Sequence, residues 1–375
     1  MRTWLLATAL VWGLLASAAL HAQRPPLTTP ATGVITTEVK RSFDRSAPEA
    51  LELWARRTVL GYGEVDLNYG KIHLTCGSDP ALGRCPTRDT GEPSSRSTIP
   101  VQFRDQRSGQ RIDVNVTGWL ERVEWQRYCS VDYWDHQEYP LWTSFNSDCL
   151  IPPGGTAAAL VVQAEDLHNL VAGRWLAELH LDLRIDPDGP VIATHVFKFD
   201  LTITDRDRVM IYLPEFGLAP PLVGLQLDYR PVPYPATIGG TTVLDMCLYD
   251  GMGSQSEYLG ITARDMGPAA PGRPDTQYSV WHRDGGRDPH DRVDYQLTLA
   301  HNGQRIALRN NDEVLLRGID TAELRLVMLP DMNQWVYCVP TPLTLDTPRV
   351  PAADKREGYY EGRLTLEMRL PTTRL

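Results

Sequence analysis

Apolar and polar residues alternate with period two along most of this chain. Residues 179–185 read Leu-His-Leu-Asp-Leu-Arg-Ile, which predicts a half-buried strand with His180, Asp182 and Arg184 on its wet side. Asp186-Pro187-Asp188-Gly189 supplies a turn, and residues 191–203 return as a second strand with Phe197, Phe199, Leu201 and Ile203 on one face. Similar runs occur at 99–103, 111–116, 156–162, 209–213, 224–229, 257–263, 293–299, 322–329 and 362–370, separated by Gly- and Pro-rich breaks. Regular short strands with turns between them predict an all-β chain of immunoglobulin-like sandwiches. Helices are expected only over 48–58, capped by Ser46, and as a turn or two at 164–170.

A chain of 375 residues suits two domains. The stretch Thr204-Asp205-Arg206-Asp207 is short, charged and central. It sets the expected division: a first domain over 23–203, a linker over 204–207 and a second domain over 208–375. The loop 265–275 is expected to be mobile. Residues 1–22 read as a signal peptide, with Arg2 as the positive end, an apolar run from Trp4 to Leu15, and Ala22 or Ala18 before the cut. Export gives the six cysteines meaning. Cys76, Cys85, Cys129, Cys149, Cys247 and Cys338 allow 15 pairings, and their spacing suggests Cys76–Cys85, Cys129–Cys149 and Cys247–Cys338. No CxxC stands near a histidine, so zinc is not expected.

The net charge of −10 argues against a nucleic-acid partner, which calls for a basic face. Only Lys40, Lys71, Lys198 and Lys355 are lysines, against 33 arginines. That bias reflects either genome composition or recognition of anions by planar guanidinium groups. The chain has no GxSxG, phosphate loop or HExxH, so no catalytic centre or cofactor is expected. Asp245 and Asp250 flank Cys247 but should face opposite ways. His282, His290 and His301 stand in polar contexts and are expected in solvent. His195 is expected as a hydrogen-bonded core histidine. Two features suit binding: an aromatic segment from Trp125 to Trp142, including Tyr133 and Trp134, and a cationic pair, Lys71 with Arg184.

Leu364, Leu366, Met368 and Leu370 alternate in the last strand, and five residues follow it. A sandwich of this kind ordinarily adds one more closing strand, so an open groove is expected here, to be filled by another chain.

The pattern Gly358-Tyr-Tyr-Glu-Gly-Arg-Leu-Thr-Leu-Glu-Met368 resembles the terminal strand of fimbrial subunits. Four further stretches resemble the tip adhesins of class 5 fimbriae, the colonisation factor antigen I minor adhesin and cable-pilus CblD-like family. They are Lys71-Ile-His-Leu-Thr-Cys76 with Gly83-Arg-Cys85-Pro-Thr87; Ala164 to Leu170 with Gly173-Arg-Trp175; Val209 to Phe216; and Leu244 to Gly251. The resemblance runs in order along nearly the whole mature chain. It implies a tip subunit whose first domain binds a host glycan or glycoprotein and whose second accepts a donor strand. A periplasmic chaperone lends that strand first, and the major pilin then replaces it at an outer-membrane usher. The product is carried through the periplasm to the fimbrial tip. Val34–Val39 is then the first domain's own first strand. Lys71 and Arg184 fall where family members carry receptor-binding arginines, although Ile185 and Asp186 stand where further basic residues occur. The rival readings are a secreted glycan-active enzyme and a structural initiator without a receptor.

Overall fold

The computed structural model describes residues 24–146, 149–217 and 219–371. The proposed leader 1–22 lies outside them. Among the described residues no helix is long and apolar enough to cross a membrane.

The first half is a curled β-sheet. Its strands run side by side in the order Gly33–Asp44, Ala193–Thr204, Gly173–Arg184, Ser97–Asp105, Arg111–Val123, Gly155–Val162 and Leu51–Tyr62, and His73–Thr75 adds to Gly173–Arg184. The period-two hairpin forms with Leu179 opposite Phe197 and Leu183 opposite Ala193. Its turn is closed by Gly189 N–H donating to Asp186 O. Gly33–Asp44 pairs in parallel with Ala193–Thr204 along its whole length, inside its own domain. The sheet folds over, so Trp54 of one terminal strand meets Phe197, their ring centres 5.2 Å apart. Val101, Phe103, Leu120, Leu160, Trp175, Leu181 and Leu201 fill the space between the two layers and are fully excluded from water.

The expected helix at 48–58 is corrected. Residues Leu51–Tyr62 form a strand paired to Gly155–Val162. Three register shifts interrupt that pairing, and Arg57 takes a left-handed φ of 66° at one of them. Bulges shift the spacing of Leu51, Trp54 and Thr58 away from period two, and that spacing mimics a helical repeat. Burial of Trp54 against Phe197 and His195 decides the outcome. Ala164–Leu167 is a single helical turn, as expected.

The second half is also a β-sandwich. One layer orders Asp228–Arg230, Thr237–Leu244, Leu343–Pro351, Arg292–His301, Tyr278–His282 and Tyr360–Glu361. The other layer contains Glu313–Arg317, Tyr258–Asp265 and Leu364–Arg369, with Met210–Tyr212, Cys247–Tyr249, Trp335–Pro340 and Arg325–Met328 beside it. Leu248, Leu259, Ile261, Leu297, Leu299 and Leu345 form the core. Disulfides join Cys76 to Cys85, Cys129 to Cys149 and Cys247 to Cys338. The last of these bonds two neighbouring strands of the second half.

The stretch 204–207 is pinned rather than loose. Thr204 and Asp205 are buried, and Asp205 N–H donates to Gly251 O at 2.7 Å. Arg107 donates to Ile319 O and Ala322 O, and Arg208 to Asp331 O at 2.9 Å. Tyr249, Val327, Leu329 and Val336 of the second half join the core of the first. Gly253, with φ 69°, sits so close that a Cβ there would lie 2.6 Å from Gly173 Cα. The 265–275 loop is also tied down, because Arg273 donates to Asp265 and to Ser279 Oγ.

Candidate functional site

Two regions carry chemistry: the pole of the first sandwich far from the second, and the last strand of the second sandwich.

The far pole is located by the strand Gly173–Arg184. Gly173 touches Gly253 of the other sandwich. Eleven steps of about 3.3 Å place Arg184 roughly 35 Å away, at the opposite end. Arg184 pairs with His73, so the two share one face, and Lys71 lies two residues further along. The ammonium of Lys71 has no ion-pair or hydrogen-bond partner among the described residues, and Arg184 donates only to Gly189 O, at 2.5 Å. The two sequence-predicted cations therefore stand at the same pole, each with donors to spare.

One residue without any motif around it builds this pole. Arg122 is fully buried. Its Nε and Nη2 donate to Phe145 O, Nη2 also to Thr143 O at 2.8 Å, and Nη1 to Ile72 O at 2.8 Å and Thr156 Oγ1 at 2.7 Å. It makes no ion pair among the described residues. Burial pushes its pKa down to about 10, and Tyr139, Asp135 and Asp89 counter that from further away. The guanidinium thus ties the backbone beside Lys71 to the end of the aromatic segment. The only sequence signal was an arginine, next to Glu121, between apolar residues at the end of a strand, Trp119-Leu-Glu-Arg-Val123. His73, also fully buried, has its pKa lowered by burial, and its Nδ1 bonds Lys71 O at 3.0 Å. It therefore holds Lys71 as a neutral ring.

The aromatic candidate packs largely on its own domain. Trp134 is 6% exposed and packs with Tyr62, Val123 and Ala157. The Arg57 guanidinium covers its ring at 4.7 Å, so no face is free for a sugar. Tyr133 is half-buried beneath Arg127, 5.5 Å from its ring. Tyr139 is fully buried and donates to Asp135. Trp134 and Tyr139 thus pack within the domain, while Tyr128 of the same segment stays 59% exposed.

Three histidine expectations change too. His282 and His301 are buried on strands, with Nε2 bonded to Glu357 O and Arg317 O. His195 is half-buried edge-on to Trp54, and its Nε2 has no hydrogen-bond partner. Asp245 pairs with Arg325, while Asp250 caps the turn through Met252, Ser254 and Ser256. Among the described residues one grouping of metal-donor atoms occurs, Glu124 with Cys129 and Cys149, and its two sulfurs are bonded to each other.

The second region is an edge. Leu364–Arg369 pairs with Tyr258–Asp265 on one side, and among the described residues no strand occupies its other side. Leu364, Leu366, Met368 and Leu370 turn toward the core yet stay only partly buried. Val223 and Leu225, from a stretch without ladder pairing, rest on the same core. An apolar row beside unpaired backbone is what an added strand requires.

Comparison with known proteins agrees along the whole chain. Residues 18–206 match the first domain of the CFA/I fimbrial subunit CfaE, and residues 209–372 match its second domain. The CFA/I fimbrial subunit CfaE of Escherichia coli is 24% identical over 311 residues, covering 80% of each chain. The fold is similar to that of CfaE, the adhesive subunit of CFA/I fimbria of enterotoxigenic Escherichia coli. That likeness has a TM-score of 0.71 and 21% identity, covering 93% of this chain and 95% of the other. It is also similar to a chain of a chaperone–tip adhesin complex of CFA/I fimbriae biogenesis, with a TM-score of 0.65 and 20% identity, covering 93% and 99%.

Proposed function

The chain belongs to the CfaE family of CFA/I fimbrial subunits, and from that premise we propose that it is a fimbrial tip adhesin that binds a host receptor at the far pole of its first sandwich and starts pilus assembly by accepting a strand in its second. It is an adhesive subunit rather than an enzyme. A periplasmic chaperone supplies the first strand, the major pilin replaces it at the outer-membrane usher, and the finished subunit stands at the tip outside the cell. Residues 23–203 act as the adhesin domain and 208–375 as the pilin domain, joined by 204–207.

The observation that carries this reading is the free edge of Leu364–Arg369, with its row of half-covered apolar side chains. An incoming strand would hydrogen-bond to that edge and set alternate side chains against Leu364, Leu366, Met368 and Leu370. The Lys71 ammonium, without a partner among the described residues, and Arg184, which donates to Gly189 O and keeps donors to spare, support recognition of an anionic group on the receptor at the opposite end of the molecule.

The test uses the full chain with a donor strand fused to it, applied to a glycan array. Binding to acidic glycans that weakens about tenfold in each of Lys71→Ala and Arg184→Ala is expected. Binding retained in both variants would overturn the assignment of the receptor site.

A further inference from the structure

The pole of the second sandwich that faces away from the first bears large apolar side chains that stand largely exposed. Strands Thr237–Leu244 and Cys247–Tyr249 run from that pole toward the first sandwich, since Gly251 and Gly253 beyond them touch Asp205 and Gly173. The hairpin between Asp228–Arg230 and Thr237–Leu244 therefore lies at the outer pole. There Tyr229 is 63%, Val232 78% and Tyr234 94% exposed. Tyr359 lies at the same pole. Pro351 pairs with Thr237, the neighbouring strand begins there at Arg292, Trp281 pairs with Arg292, and Tyr360 pairs with His282. Tyr359 is 82% exposed.

This apolar tip is stiff. Pro231, Pro233 and Pro235 fix three backbone angles. Arg230 and Arg349 grip Asp228 at its base, and Ala352 N–H donates to Ala236 O at 2.8 Å. Exposed tyrosines on a preordered loop lose little freedom when covered, and tyrosine is enriched at protein interfaces.

We propose that this pole seats the folded body of the subunit whose strand fills the groove, which rests on the strand-acceptance reading above. The direction of the groove selects that occupant. Arg369 pairs with Gly260, and Tyr258 pairs with Arg317, which lies beside the Ile319 and Ala322 carbonyls that Arg107 of the first sandwich holds. A chain leaving the groove at the Arg369 end would run into the first sandwich. The Leu364 end lies at the outer pole, a few residues after Tyr360 pairs with His282. The donating subunit's body must therefore stand at the outer pole, where it meets an apolar, proline-stiffened surface.

Hydroxyl-radical footprinting of the full chain separates the two readings, using a synthetic donor peptide in one arm and the intact donating subunit in the other. Both should protect Met368. Only the intact subunit should slow labelling of Tyr229, Tyr234 and Tyr359, by threefold or more. Met368 protected in both arms with the tyrosines equally labelled would overturn this inference and leave strand acceptance standing. Met368 unprotected in both would remove strand acceptance, and this inference with it. The exposed double substitution Val232→Ser with Tyr234→Ser should leave peptide capture unchanged and speed dissociation of the intact subunit about tenfold. Equal behaviour toward both partners would contradict the docking role.

Discussion

Arg122 carries a charge in the protein interior and satisfies it with main-chain oxygens and one hydroxyl. Its removal would leave the carbonyls of Ile72, Thr143 and Phe145 short of donors in a place water does not reach. Arg122→Met is expected to cost about 2 to 4 kcal/mol of first-domain stability. It should also raise hydrogen exchange across 70–73 and 143–146, whereas normal exchange there would disprove the tie. Lys71→Ala and Arg184→Ala should stay within about 0.5 kcal/mol of the parent in chemical denaturation. Each should weaken receptor binding roughly tenfold, or about 1.4 kcal/mol. Trp134→Ala should behave in the opposite way and destabilise by about 3 kcal/mol, since it empties a packed site. At this scale the sequence was a partial guide. Arg184 was placed on its strand by alternation, whereas Lys71 lies in the 3-10 turn Tyr69–Lys71, which alternation does not report. The burial of Trp134 and Arg122 was not legible because it depends on what lies across the fold, and alternation along one strand does not report it. His282 and His301 were misplaced for the same reason, since polar neighbours in sequence hid two strand ends packed beneath loops.

Among the elements, strands were read well where one face is wet and the other dry, as in the hairpin of Gly173–Arg184 and Ala193–Thr204. They were misread where bulges disturb the count, as in Leu51–Tyr62. The chain leaves its first strand through Asp44, and this residue gives a pH prediction. Burial raises its pKa, yet hydrogen bonds from Ser46 Oγ and N–H, Arg206 N–H and Thr204 Oγ1 outweigh that and bring it to about 2. A carboxyl held below its unfolded value stabilises the fold above that value, near 4, and loses the contribution as pH falls toward 2. The stability gap between the parent and Asp44→Asn should therefore be about 1 to 2 kcal/mol at pH 7. It should begin to close below pH 4 and be nearly gone at pH 2. A gap independent of pH would show that the bonds to Asp44 do not depend on its charge.

At the scale of the molecule, the two sandwiches share buried residues and glycine contacts, so the far pole of the first and the open edge of the second lie on one braced body. The apolar alternation of 364–370 made the second domain's open groove readable from the chain alone. The bracing was not readable, since Arg107, Arg208, Gly251 and Gly253 lie in turns or at junctions with no periodic pattern. The central claim is that the second sandwich borrows its closing strand. Thermal unfolding of the full chain, with and without a fused peptide of alternating apolar residues, tests it most directly. The account predicts a low, second-domain transition that rises by tens of degrees when the strand is supplied. A single high transition that the added strand does not move would contradict it.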